Sequence, residues 1–66
     1  MIKEKRKERK YTQEEMSKIL DVSLRQYVRI DNEEDLPRQD TLKKLIEVLQ
    51  LSNEEIGKYI RKMIEK

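Results

Sequence analysis

Apolar residues in this chain are mostly aliphatic and recur at the three- and four-residue intervals that line one face of a helix. Met16, Ile19 and Leu20 form one such face, and Tyr27 and Ile30, three apart, form another. Leu42, Leu45, Ile46 and Leu49 make the strongest stripe, and Ile56, Ile60, Met63 and Ile64 repeat it near the end. Before these, Ile2 is the one clear core position of a segment that Tyr11 closes. The pattern predicts helices over about 2–10, 13–20, 24–32, 39–50 and 53–65, hence an all-α, compact five-helix fold in which residues 1–66 make a single domain.

Helix starts are marked by chemistry as well as by period. Thr12 is followed three positions later by Glu15, Ser23 by Gln26 and Ser52 by Glu55. Each pair fits the capping box, in which the first side chain accepts from a free backbone N–H and the third-position side chain reaches back. Loss of such a cap costs about 1 kcal/mol. Pro37 ends the polar stretch Glu33-Glu34-Asp35-Leu36, because proline suits the beginning of a helix and not its interior. Gly57 falls inside the last predicted helix, where it costs propensity. The second and third helices are short, capped and joined by a very short turn. Such a pair packs only at a steep angle, which is the helix-turn-helix geometry. Ser17 supplies a small side chain where the two helices cross, and Val22 packs beneath the turn. Asp21 stands where the chain is expected to turn left-handed, a conformation aspartate tolerates better than most residues.

Composition narrows the function. The 66 residues build one layer of core, with 35% hydrophobic and 45% charged residues, and self-association can add stability. Absence of cysteine and histidine removes disulfides, thiolate and imidazole metal sites and the usual nucleophile–base pairs. There is no glycine-rich phosphate loop, and a bundle of this size has little room for a closed pocket, so no enzyme activity and no cofactor are expected. No apolar run reaches the roughly 18 residues of a membrane span, so a cytoplasmic protein with no membrane partner is expected. Net charge is +2 but uneven: residues 1–11 carry +4 and residues 12–66 carry −2. The basic start reads either as a solvated helix face or as an aid to polyanion binding.

The stretch Thr12-Gln13-Glu14-Glu15-Met16-Ser17-Lys18-Ile19-Leu20-Asp21-Val22-Ser23, continued by Tyr27, by Arg29-Ile30-Asp31 and by Pro37 through Leu42, resembles the Cro/repressor-type (XRE) helix-turn-helix family over roughly residues 2–56. The resemblance implies a lambda-repressor-like domain, bacterial or phage-encoded, whose third helix enters the major groove of operator DNA, usually as a homodimer. It makes Gln13, Ser23, Asn32 and Arg38 phosphate-contacting residues and Leu24, Arg25, Gln26, Val28 and Arg29 the readers of base edges. It also implies an ion pair between Arg6 and Asp31. Side-chain chemistry agrees: Arg25 or Arg29 can pair with guanine O6 and N7 and Gln26 with adenine, while Leu24 and Val28 suit thymine methyl groups. With Tyr27 and Ile30 in the core, Arg25, Val28 and Arg29 take the opposite face, with Gln26 near its edge.

Three departures stand out. Relatives usually place glycine where this chain has Asp21 and Glu33, and a basic or neutral loop where it has Glu33-Glu34-Asp35. Three carboxylates facing a phosphate backbone are repulsive, weakened by salt and distance. Lys5 occupies a usually apolar position, where its stem can snorkel. The segment after Ile56 either closes the core against the first helix or presents Tyr59, Ile60, Met63 and Ile64 as a dimer surface. The leading expectation is a sequence-specific transcriptional regulator of the phage, plasmid or mobile-element type. The alternative is a protein-interaction module on the same fold, an antirepressor or assembly factor with a protein partner and weak or no DNA binding.

Overall fold

Residues 1–65 of a computed structural model are described; Lys66, the last residue of the expected domain, lies outside them. Five helices follow one another: α1 (Ile2–Glu8), α2 (Gln13–Leu20), α3 (Leu24–Asp31), α4 (Gln39–Leu49) and α5 (Asn53–Ile64). No strand occurs among the described residues, and the fold is all-α. Thr12 and Ser52 each complete a capping box: the hydroxyl accepts from the N–H three residues on, and Glu15 or Glu55 accepts from the cap's own N–H. At α3 half of the expected box forms. Ser23 Oγ accepts from Gln26 N at 3.0 Å, but the Gln26 side chain does not return and stays exposed. At α4, which starts at Gln39 as expected, the N-cap is Arg38, which makes no side-chain cap, and Pro37 stands just before that cap.

The other ends share one device. After α1, α2, α3 and α4 the chain turns through a left-handed residue: Lys10 (φ 63°), Asp21 (φ 57°), Glu33 (φ 58°) and Gln50 (φ 53°). In each case that residue's N–H and the next one bond back to the last turn: Lys10 to Lys7, Tyr11 to Arg6, Asp21 to Lys18, Val22 to Ser17, Glu33 to Ile30, Glu34 to Arg29, Gln50 to Glu47 and Leu51 to Ile46. These are Schellman motifs, which satisfy the free carbonyls of a helix end. Glycine normally fills the left-handed place because it has no Cβ to clash. Here none of the four is glycine, and only Asp21 belongs to the residue types that visit this region readily.

Ile2, Met16, Leu20, Tyr27, Ile30, Leu45, Leu49, Leu51 and Tyr59 form one buried cluster, with Tyr11, Val22, Leu42, Ile46, Ile56, Ile60 and Met63 packed around it. α2 lies against α3 and α4, and α1 against α3. Ser17 is buried on the face of α2 that includes Met16 and Leu20, which allows the close approach of α3. Two positions read as core are not. Ile19 is 39% exposed because α2 buries the row through Met16, Ser17 and Leu20, and Ile64 is 71% exposed. α5 instead faces inward along Ile56, Tyr59, Ile60 and Met63, the i, i+3, i+4, i+7 set of one helix face, and Ile64, the last residue of the helix, is left open.

Candidate nucleic-acid interface

The position of α3 is set by a buried carboxylate. Asp31, 1% exposed, accepts four hydrogen bonds, two on each oxygen. Arg6 Nε (2.9 Å) and Tyr27 Oη (3.0 Å) donate to Oδ1, while Arg6 Nη2 (3.2 Å) and Gln13 Nε2 (3.0 Å) donate to Oδ2. Arg6 also donates to the Tyr11 carbonyl at 2.8 Å. One residue of α3 therefore ties down α1 and the start of α2. Burial, the largest single effect on this carboxyl, raises its pKa. The hydrogen bonds from Arg6, Gln13 and Tyr27 outweigh it and hold Asp31 below the ordinary carboxylate range. Burial, followed by the Asp31 charge, pushes the Tyr27 hydroxyl well up, so it stays a donor. The Arg6–Asp31 pair is found as the resemblance implies. The parts of Tyr27 and Gln13 in it escape a reading by period, which counts Tyr27 only as a core ring.

With its inner face fixed, α3 turns Leu24, Arg25, Gln26 and Arg29 outward as exposed side chains, and Val28 is half-buried between them. Leu24, Arg25, Val28, Arg29 and Glu34 line one open hollow. A separate polar cleft of about 200 Å³ is lined by Leu20, Asp21, Val22, Gln26, Arg38, Asp40, Thr41 and Lys44. Gln26 and Arg38, assigned to base and phosphate from sequence, thus share one cleft. Lys44, which no sequence motif marks, joins them. Ser23 and Asn32 are exposed at the two ends of α3. Gln13 is half-buried with one amide N–H committed to Asp31; its second N–H and its carbonyl keep hydrogen-bonding capacity.

The acidic stretch does not present three outward carboxylates. The left-handed turn at Glu33 carries that side chain inward, where it is 10% exposed, 2.8 Å from the Met1 amine and 3.4 Å from Lys62 Nζ. Burial raises the Glu33 carboxyl, but the amine and Lys62 prevail and lower it overall. Asp35 forms an ion pair with Arg29, Oδ2 to Nε at 2.9 Å, both side chains half-exposed. The basic first helix is likewise partly absorbed into structure: Arg6 is buried, and Lys5 pairs with Glu55 at 2.6 Å. Lys7, Arg9 and Lys10 remain exposed.

Tyr59 has to be removed from the expected dimer surface. It is 1% exposed, and burial, followed by the Glu33 charge, pushes its hydroxyl up to about 12. Its ring belongs to the core because it falls on the inward stripe of α5. Ile60 and Met63 are half-buried and Ile64 is open, so these three keep an outward edge. No helix among the described residues is long and apolar enough to cross a membrane, and no cluster of acidic side chains is arranged to hold a metal ion.

A sequence model of the helix-turn-helix family matches residues 2–56. No curated protein and no solved structure matches the chain.

Proposed function

The chain belongs to the Cro/C1-type helix-turn-helix family of DNA-binding regulatory domains, and on that premise we propose that it is a sequence-specific transcriptional regulator of the phage, plasmid or mobile-element type. In this reading α3 enters the major groove of operator DNA. Arg25 and Arg29 pair with guanine, Gln26 with adenine, and Leu24 and Val28 lie against thymine methyl groups. Gln13, Ser23, Asn32 and Arg38 hold the backbone and so the register. The observation that carries the reading is the asymmetry of α3. Its inner face is locked to α1 and α2 through Asp31, and its outer face carries four exposed residues of base-reading chemistry. A helix fixed on one side and furnished on the other is suited to rigid insertion.

A two-fold dimer, with Ile60, Met63 and Ile64 as the candidate contact, sets two copies of α3 about 34 Å apart on successive major grooves. The alternative, an interaction module with a protein partner, drew its support from an outward acidic loop. That support shrinks with Glu33 turned inward and Asp35 paired to Arg29. Gel shifts against the promoter regions flanking the gene, at low and moderate salt, test the proposal. A sequence-selective complex that Arg25→Ala plus Arg29→Ala abolishes is expected. Absence of a selective complex, or one unchanged in the double variant, refutes it.

A further inference from the structure

We propose that Asp35 is a specificity-determining residue: by pairing with Arg29 it keeps that guanidinium off the phosphates and reserves it for a guanine edge. The inference rests on the DNA-binding role of α3. Its starting point is the ion pair between Asp35 Oδ2 and Arg29 Nε at 2.9 Å, made across the turn that ends α3. That turn is held by Glu33 N–H on Ile30 O (3.0 Å) and Glu34 N–H on Arg29 O (2.9 Å), which fold the chain back over the last turn of the helix. Glu33 leaves in the other direction, toward the Met1 amine and Lys62. Asp35 is thus the carboxylate paired with Arg29 of the base-reading helix, while Glu34 lines the hollow beside that arginine.

Non-cognate DNA is bound almost wholly through phosphate charge, so any free arginine on the face raises affinity for every sequence alike. An arginine beside a carboxylate contributes little net charge and gains little from a phosphate, which is itself repelled by the carboxylate. A guanine edge is different. It is uncharged and offers O6 and N7 as fixed acceptors, and a guanidinium with five N–H donors can meet them while its Nε edge faces Asp35. The pair therefore weakens phosphate binding more than guanine binding, and the gain is in the ratio between the two. Arg25, one turn earlier, provides the internal control.

The experiment measures dissociation constants by fluorescence anisotropy at low and moderate salt. Its probes are the duplex that the wild-type chain selects from a random library and a duplex of equal length without the selected motif. The chains are wild type, Asp35→Asn, Arg29→Ala, Arg25→Ala, and each arginine variant combined with Asp35→Asn. Expected is tighter binding of the unselected duplex by Asp35→Asn, about three- to fivefold, the upper range for an exposed ion pair. Its gain on the selected duplex is expected to be under about twofold, so specificity falls. The fall persists in the Arg25→Ala background and vanishes in the Arg29→Ala background. Equal gains on both duplexes in every background reduce Asp35 to general repulsion and overturn the proposal; equal losses on both, with a lowered melting point, assign it a structural part and also overturn it. If the wild-type chain selects no motif, the DNA-binding reading itself fails, and this inference falls with it.

Discussion

Replacing Asp31 by Asn keeps the shape of the side chain and removes the charge that Arg6 needs. Arg6 is 8% exposed and Asp31 1%, so the guanidinium cannot recover full hydration without opening the contact of α1 with α3. Breaking one partner of a buried ion pair costs about 3–5 kcal/mol, because the other charge is left uncompensated. The Asn amide also presents donors where Tyr27, Gln13 or Arg6 donate now. At about 0.05–0.15 kcal/mol per residue, a chain of this length has about 3–10 kcal/mol to lose. Asp31→Asn should therefore leave the domain marginal or unfolded in water at 25 °C. Urea titration followed by circular dichroism at 222 nm reads this as a lowered midpoint, or as a missing folded baseline. The triple variant Arg6→Met, Tyr27→Phe and Asp31→Leu removes the charges together with the main donors. Apolar replacement of a whole buried ionic group is often neutral or better, so it should recover most of the stability while losing the hydrogen bond to Gln13. A loss under about 1 kcal/mol for Asp31→Asn, or a triple variant no more stable than Asp31→Asn, refutes this account of what holds α3.

Other expectations follow from single positions. Asp31 and Glu33 both titrate below their ordinary range in the folded chain, so each binds protons more weakly folded than unfolded. Their stabilisation is complete above the unfolded values near 4 and is lost as pH falls through the folded ones; urea midpoints should be flat from pH 7 to 5 and drop steeply below. Gly57 stands inside α5 with open space where a Cβ would go, so Gly57→Ala should raise stability by about 0.5–1 kcal/mol, read in the same titration. Gln50 holds a left-handed turn at φ 53°. There Gln50→Gly should gain up to about 1 kcal/mol and Gln50→Val should lose at least that, and the reverse order in thermal melts would contradict the assigned turn.

Local signals made much of the fold legible. The capping residues Thr12, Ser23 and Ser52 mark helix starts by chemistry that depends on a span of four residues; the hydroxyl cap forms at all three, and the return bond forms at Thr12 and Ser52. Ends were harder. Four turns that glycine usually marks are made by Lys10, Asp21, Glu33 and Gln50, and only Asp21 carries a local hint. The direction of the Glu33 side chain depends on α5, from which Lys62 reaches it across the fold, so no neighbouring residue could announce it. Asp35 looked repulsive for a similar reason. Its partner Arg29 becomes adjacent only after the chain turns back. Tyr59 and Ile64 exchanged places because the stripe of α5 can be drawn through 56, 60, 63 and 64 or through 56, 59, 60 and 63. Packing against the remaining helices chose the second.

Selection of random duplexes by the full chain, repeated with Arg25→Ala plus Arg29→Ala, shows whether α3 reads bases through its two arginines. Expected is enrichment of a short motif containing guanine, repeated as two half-sites about 10–10.5 base pairs apart, with the guanine preference gone in the double variant. An unenriched pool, or the same motif recovered with both arginines removed, contradicts it.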